Sequence, residues 1–396
     1  MDFPYSLVIP TNNRPQFVER FLSYYYGAGF RGELVIVDGS DDANVDANLD
    51  IIERYRAKGM AIQHTISRDP IPFVSDAYKW PAGFGGRLAR GLDLVRSPCV
   101  QMMCDDDFAT MEYMDAASSF LIENRDYCLV MGRVASIYLD NGASAYGKIV
   151  DTACTNPIPP RPEPNAAARL LRAERMPYPN PVVMPQTILA MTTTEQWKRA
   201  MATYESMCRA LPKAGRDVDA SVDATTFILY YVIDVIHAYT CLAAGKMHSL
   251  PNVMAARHFH QSNEGGGGRS VYGTTGRQSY IVEALLSEQW PHLVNAALEP
   301  VVDEVAAADG IAEDTARAIV RSCFTRNFMP TLEHVVSHRL LALSGEPAPK
   351  TPWSGRLRRL LALLLKRPEL RAPHGASYFE TAEMRRLVAA FTKPAQ

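Results

Sequence analysis

The chain has 396 residues, with 43 acidic and 41 basic side chains and a formal net charge of −2. That balance excludes the strongly basic surface of a nucleic-acid binder, while 47% hydrophobic and 21% charged residues are ordinary for a soluble globular protein. No run of about 18 uncharged apolar residues occurs, so no membrane span is expected, and the N-terminus lacks the basic start of a signal peptide.

In chain order, Leu7-Val8-Ile9-Pro10 predicts a first strand, closing at Thr11-Asn12-Asn13-Arg14-Pro15. Pro15 suits the first turn of a helix over 16–26. Glu33–Asp38 predicts a second strand, followed by Gly39-Ser40. A helix over 48–58, a strand over 60–66 and a helix over 85–95 come next. Then follows the apolar or neutral run Cys99-Val100-Gln101-Met102-Met103-Cys104, which stops at Asp105-Asp106-Asp107. Strands alternating with helices predict a parallel α/β sheet.

Beyond the triplet the pattern predicts a helix over 111–123, a strand over 128–139 and a hairpin turn at Asp140-Asn141-Gly142. A proline-rich connection covers 156–164. Thr187–Met191 reads as a strand, with Thr192 and Glu195 as a capping box for a helix to about Ala210. A helix over 222–244 ends at Gly245. Two short apolar segments, Met247–Leu250 and Val253–Ala256, lead into Arg257-His258-Phe259-His260. Residues 261–277 carry Gly265 to Gly268, Gly273 and Gly276, the composition of a flexible lid. Helical patterns cover 280–289, 301–308, 313–325 and 332–343. The seven cysteines show no C-x-x-C spacing and read as free buried thiols in a reducing compartment.

The triplet carries the chemistry. An apolar run with a sharp polar stop is the pattern of a buried central strand, and open α/β sheets bind ligands where strands leave the sheet. Three adjacent carboxylates repel one another and are costly to desolvate unless something positive joins them. Oxygen ligands suit Mg²⁺ or Mn²⁺, which commonly hold substrate phosphates. A solvated turn is the alternative; the preceding strand and the second strand ending in Asp38 favour a metal–diphosphate site. Asp234 interrupts the mostly apolar helical run Phe227–Ile236. Burial there would raise its pKa and suit a general base, while an exposed position on a half-buried helix is the other reading. His258 and His260 share one face of a strand end. His334 and His338 lack the full H-E-x-x-H pattern and read as ordinary helix-face residues.

The order Val8-Ile9-Pro10-Thr11-Asn12-Asn13-Arg14, Val35-Ile36-Val37-Asp38-Gly39-Ser40, Ala89-Arg90-Gly91-Leu92 and Asp105-Asp106-Asp107 resembles the inverting family 2 glycosyltransferases of GT-A fold. Asp234, Ala244-Gly245 and His258 extend the resemblance to about residue 260. One departure is Ile233-Asp234, where the family usually has Glu-Asp. The resemblance implies a Rossmann-like mixed α/β sheet, mainly parallel and flanked by helices, with a helical C-terminal extension. It assigns 1–110 to a nucleotide-binding half, 111–262 to an acceptor-binding and catalytic half, 263–278 to the glycine-rich loop and 279–396 to the extension.

It also gives residues their roles. Thr11 and Asp38 would lie against base and ribose, Arg14 and Arg90 near the nucleotide or its diphosphate, and Asn13 and Asp106 in the same donor-binding group. Asp105 would face the ribose or a metal-bound water. Asp107 would hold Mn²⁺ or Mg²⁺ together with Asp105 and His258, His260 being in reserve, and Arg257 or the lid would close over the diphosphate. Asp234, with Asp223 in reserve, would deprotonate the acceptor. The implied activity is sugar transfer from a nucleotide sugar, UDP-sugar favoured, to a saccharide or lipid-linked acceptor in bacterial glycan assembly. A nucleotidyltransferase on a similar sheet would need a Gly-rich basic loop after the first strand, which Thr11-Asn12-Asn13-Arg14 is not; a non-catalytic glycan-binding protein is the other alternative.

Trp353–Arg367 gathers leucines on one side of a helix, opposite Arg358, Arg359 and Lys366. The stretch 353–371 fits either an anionic membrane surface or docking on the core. Cytoplasmic location, peripheral on the inner face of the cytoplasmic membrane, is the matching expectation.

Overall fold

The first strand extends past its apolar run at both ends: β1 spans Tyr5–Thr11 and is buried throughout. A computed structural model describes residues 3–67, 81–140, 144–155, 166, 187–210, 237–259, 290–325 and 381–392. After β1 come α1 (Pro15–Gly27), β2 (Glu33–Asp38), α2 (Asp42–Ala57), β3 (Ile62–Ile66), α3 (Pro81–Leu94), β4 (Cys99–Met102) and α4 (Met111–Glu123). Helix α2 starts six residues earlier than its apolar pattern because Asp41 caps it, its side chain accepting from Asn44 N at 3.0 Å.

The second half adds β5 (Tyr127–Asp140), β6 (Lys148–Thr155), β7 (Met191–Thr193), α5 (Thr194–Ala210), α6 (237–244), β8 (Lys246–Phe259), α7 (Trp290–Asp309), α8 (313–325) and α9 (Ala382–Thr392). Three expectations change. Thr187–Leu189 is a single 3₁₀ turn, and the strand begins only at Met191. The hydroxyl that caps α5 belongs to Thr193, accepting from Gln196 N at 3.2 Å, because Thr192 is committed to the sheet opposite Val100 and Leu129. The two apolar segments around Pro251 are one strand, β8, whose register against β5 shifts between them. Beyond Asp140 the chain does reverse, β5 and β6 pairing antiparallel with Asp140 opposite Lys148; Asn141 and Gly142 lie outside the described residues. The six cysteines whose side chains are described are free.

One mixed sheet runs through both halves in the order β3-β2-β1-β4-β7-β5-β6. Strands β3, β2, β1 and β4 are mutually parallel, and β7 runs antiparallel between β4 and β5. Strand β8 pairs parallel with β5, on the edge opposite β7 and β6. Both faces of the parallel half are covered, which is why β1 and β2 read as continuous apolar runs. Gly91 brings α3 onto that sheet: a Cβ there would meet Val8 Cγ1 at 2.5 Å and Val37 Cγ2 at 2.9 Å.

The chain passes from β1 outward to β2 and β3, then returns to place β4 on the other side of β1. Beyond the carboxyl ends of β1 and β4 is therefore a topological switch point, where sheets of this kind open a crevice. Among the described residues no helix is long and apolar enough to cross a membrane.

Candidate active site

Two chain ends meet at the switch point, Thr11-Asn12-Asn13-Arg14 after β1 and Cys104-Asp105-Asp106-Asp107 after β4. Met103 N donates to Val8 O at 3.0 Å, carrying the pairing of β1 and β4 one residue past the strand. The chain then turns, Asp107 N donating to Cys104 O at 3.1 Å. Thr11 Oγ1 donates to Asp105 Oδ2 at 2.7 Å, and Arg14 spans the turn, with Nη1 3.0 Å from Asp105 Oδ1 and Nη2 2.8 Å from Asp106 Oδ2.

The third acid faces β8. His258 N donates to Asp107 Oδ1 at 2.8 Å, and Arg257 Nε lies 3.7 Å from Asp107 Oδ2. Phe108 and Ala256 exchange backbone hydrogen bonds of 3.0 and 2.7 Å, fixing the acid turn against that strand. Residues 91 to 151 positions away along the chain converge on three consecutive carboxylates.

Behind the turn is a buried cation that the sequence reading passed over. Arg20 is 1% exposed. Its Nη2 donates to Asp106 O at 2.7 Å, its Nη1 donates to Ala145 O and lies 3.3 Å from His258 Nδ1, and its guanidinium sits about the rings of Phe17, Phe108 and Phe391. The signal was present: Arg20 shares the buried face of α1 with Phe17, Phe21 and Tyr24, a charge on an apolar stripe. The C-terminal helix α9 closes this back wall. Phe391 packs 5.1 Å from Phe108 and 5.4 Å from His258, and the Glu383 carboxylate accepts from Met111 N and Glu112 N at the start of α4. A carboxylate on free N–H groups at a helix N-terminus satisfies both donors and the helix dipole.

All three acids are buried, at 2%, 7% and 3% exposure for Asp105, Asp106 and Asp107. Burial pushes the carboxyls of Asp105 and Asp107 up, and the Asp106 charge adds to it, while Arg14 opposes the rise at Asp105 and Arg257 opposes it at Asp107. Burial alone would lower Arg14, but Asp105 and Asp106 hold it above its ordinary value. Burial pulls Arg20 down to about 10. Cys104 is pushed up by burial and then by the acids, so its thiol keeps its proton.

Among the described residues, ligand atoms of Cys104, Asp106 and Asp107 lie within 4.8 Å of one another. Two ligands on opposite sides of an ion at about 2.1–2.3 Å are about 4.2–4.6 Å apart, so this set fits one cation. The two carboxylates suit a hard dication; the protonated thiol adds little to it. The donor set differs from the expected Asp107, Asp105 and His258. Asp105 turns toward β1, where Thr11 and Arg14 take its oxygens, and the His258 ring is fully buried against Arg20, Phe17 and Phe391. His258 meets Asp107 through its backbone N–H instead.

Asp38, opposite Thr11 in the register of β1 and β2, has its own set of partners. It is fully buried, Oδ1 accepting from Ser40 N at 2.8 Å and Oδ2 from Asn48 Nδ2 at 2.7 Å, with His64 Nε2 at 3.4 Å. Burial would raise its pKa, but the hydrogen bonds from His64, Ser40 and Asn48 hold it below the usual value. It shapes the turn after β2, and Asn13 ties that turn to β1. Asn13 takes φ 55°, a left-handed conformation asparagine tolerates; its N donates to Ser40 Oγ at 2.7 Å and its Oδ1 accepts from Asp41 N at 2.9 Å.

Arg90 is exposed on the outer side of α3, because helical periodicity turns Leu88, Gly91 and Leu92 to the sheet. The arginine near the Asp38 turn is Arg87: a Cβ on Gly39 would meet its Nη1 at 2.3 Å. Asp234, Asp223, His260, His334, His338, the glycine-rich segment and 353–371 lie outside the described residues.

No family model and no curated protein matches the sequence. Solved structures do align. The crystal structure of S. aureus TarS is 13% identical at TM-score 0.41 over 83% of this chain, which spans 44% of the length of that one. TarS 1-349 gives 12% identity and TM-score 0.38, over 88% of this chain and 93% of that one. The mannosyltransferase PcManGT from Pyrobaculum calidifontis, in complex with GDP-Man and Mn²⁺, gives 12% and 0.37, over 98% of this chain and 86% of that one. Likeness at this level carries no inference about chemistry, which rests on the geometry above.

Proposed function

We propose that this chain is a divalent-cation-assisted glycosyltransferase of GT-A type, moving a sugar from a nucleotide-sugar donor to a hydroxyl of a saccharide or lipid-linked acceptor. The observation that carries the reading is the convergence at the switch point: three buried carboxylates after β4, met by Thr11 and Arg14 from β1 and by Arg257 and His258 N from β8. Each ionised member of such a buried cluster costs on the order of several kcal/mol to desolvate unless it is paired.

Asp106 and Asp107 would hold the cation, with Cys104 beside them. Bound there, Mn²⁺ or Mg²⁺ would stabilise negative charge on a departing diphosphate. Arg14 and Arg257 are forked or stacked donors suited to the same diphosphate oxygens. Thr11 holds Asp105 in place, and Arg20 with Phe391 fixes the turn from behind. Asp38 and Asn13 position the β1 and β2 loops against each other. Inversion at the anomeric carbon, with Asp234 as the base and UDP-sugar as the donor, completes the reading from the sequence resemblance. The expected assay is Mn²⁺-dependent release of nucleoside diphosphate from a panel of nucleotide sugars, abolished by Asp107→Ala. Turnover that is unchanged by chelation or by that substitution would overturn it.

A further inference from the structure

Three buried carboxylates are matched here by three arginines. Arg14 bridges Asp105 and Asp106 at 3.0 and 2.8 Å, Arg257 lies 3.7 Å from Asp107, and Arg20 holds the Asp106 carbonyl at 2.7 Å. Among the described residues these three acids and three arginines, all ionised, balance in formal charge. A dication entering alone would find the pull of the carboxylates offset in part by the nearby guanidinium groups. Even in water, a unit charge about 5 Å from a dication costs roughly tenfold in affinity.

The three arginines differ in exposure. Arg20 is sealed among Phe17, Phe108 and Phe391. The side chains of Arg14 and Arg257 are 29% and 26% exposed and reach the acids from opposite sides, one from the β1 end and one from β8. A guanidinium fork fits a phosphate as well as a carboxylate. A dication and a diphosphate carrying two negative charges add no net charge together, so they can enter a neutral cluster as a pair.

We infer that Arg14 and Arg257 are resident counter-cations, which hold the acid turn neutral in the metal-free state and exchange onto the diphosphate when metal and nucleotide enter together. The site then takes its metal with the nucleotide rather than ahead of it. This rests on the metal–diphosphate reading above and adds to it an order of uptake and a role for two residues.

The test is Mn²⁺ titration of the full chain at pH 8, followed by the electron paramagnetic resonance of free Mn²⁺, with and without a UDP-, GDP- or ADP-linked sugar, whose diphosphate carries two negative charges, each series corrected by the same titration without protein. For the wild type, at least one nucleotide should tighten Mn²⁺ binding about tenfold or more. Arg257→Gln should bind Mn²⁺ about tenfold tighter than wild type without nucleotide and lose most of the nucleotide effect, whereas Arg257→Lys should behave as wild type. Arg14→Gln supplies the same readout if Arg257→Gln does not fold. Wild-type binding that is equally tight with and without nucleotide would overturn the inference, as would neutral variants that bind no tighter or a lysine variant that behaves like glutamine. Those results leave the metal site standing. Absence of Mn²⁺ binding with every nucleotide would instead overturn the metal reading itself, and this inference with it.

Discussion

Two parallel strands of this sheet lead into aspartates, β2 at Asp38 and β4 at Asp105 to Asp107 three residues past its end, and the two sets have opposite fates. After β2, Asp38 is fully buried and its oxygens are taken by a backbone N–H, an amide and an imidazole, all from the neighbouring turn, helix and strand. After β4, Asp105, Asp106 and Asp107 crowd together and are met by arginines reaching in from other parts of the chain. The hydrogen bonds hold Asp38 below its usual pKa against burial, whereas burial and mutual repulsion hold Asp105 and Asp107 above theirs. The Asp38 carboxylate is filled by short-range donors from its own neighbourhood. Carboxylates that repel one another and depend on long, part-exposed cations have affinity left for a ligand.

The sharpest way to break this contrast is to remove one acid from each end. Asp107→Asn should lower Mn²⁺-dependent release of nucleoside diphosphate about 10³-fold, in line with losing a charge that holds a catalytic cation. Its melting temperature should stay level or rise, because a like charge leaves the cluster. Asp38→Ala should do the reverse. It strands buried donors of Ser40, Asn48 and His64 and should cost about 3 kcal/mol in chemical denaturation, with activity per folded molecule changed by less than about threefold.

A pH series separates the same two ends. Asp105 and Asp107, with raised native pKa, bind protons in the folded state that the unfolded chain has already released. The metal-free protein should therefore lose stability as pH rises from about 4 toward neutral, by at most about 1.4 kcal/mol per pH unit per group. Asp38, with a lowered native pKa, contributes stability that is complete above about pH 4 and is lost as pH falls below it. Thermal melts of wild type, Asp107→Asn and Asp38→Asn across pH 3–8 should show the first slope flattened in one variant and the second in the other.

Smaller effects sharpen the boundary of the site. Thr11→Val removes the hydroxyl on Asp105 and should weaken Mn²⁺-supported nucleotide binding by about 1–2 kcal/mol, read by calorimetry. Arg90→Ala, on the outer side of α3, should change stability and nucleotide affinity by under about 0.5 kcal/mol.

The parallel half of the fold was legible because β1 and β2 are mostly apolar and buried on both faces and its helices carry ordinary signals; Glu33–Asp38 and Met111–Glu123 were bounded correctly. The second half was harder, since β8 runs through Pro251 and β7 is three residues long, too little for periodicity to register. Within the site, the triplet, Thr11 and Arg14 were legible because they close strands. The division of labour among the acids was not, because strand position does not say that Asp105 faces β1 while Asp107 faces β8. Long-range partners such as Phe391 and Glu383 carry no local signature; only the folded chain brings them beside Phe108 and the start of α4.

The most direct measurement is calorimetric titration of a nucleotide-sugar panel into wild type, Asp107→Ala and Asp38→Asn, each with Mn²⁺ and with chelator. At least one nucleotide sugar should bind wild type and Asp38→Asn only when Mn²⁺ is present, and should not bind Asp107→Ala. Equal binding by wild type and Asp107→Ala, or no Mn²⁺-dependent binding of any member, would contradict a cation-gripping role for the acid turn.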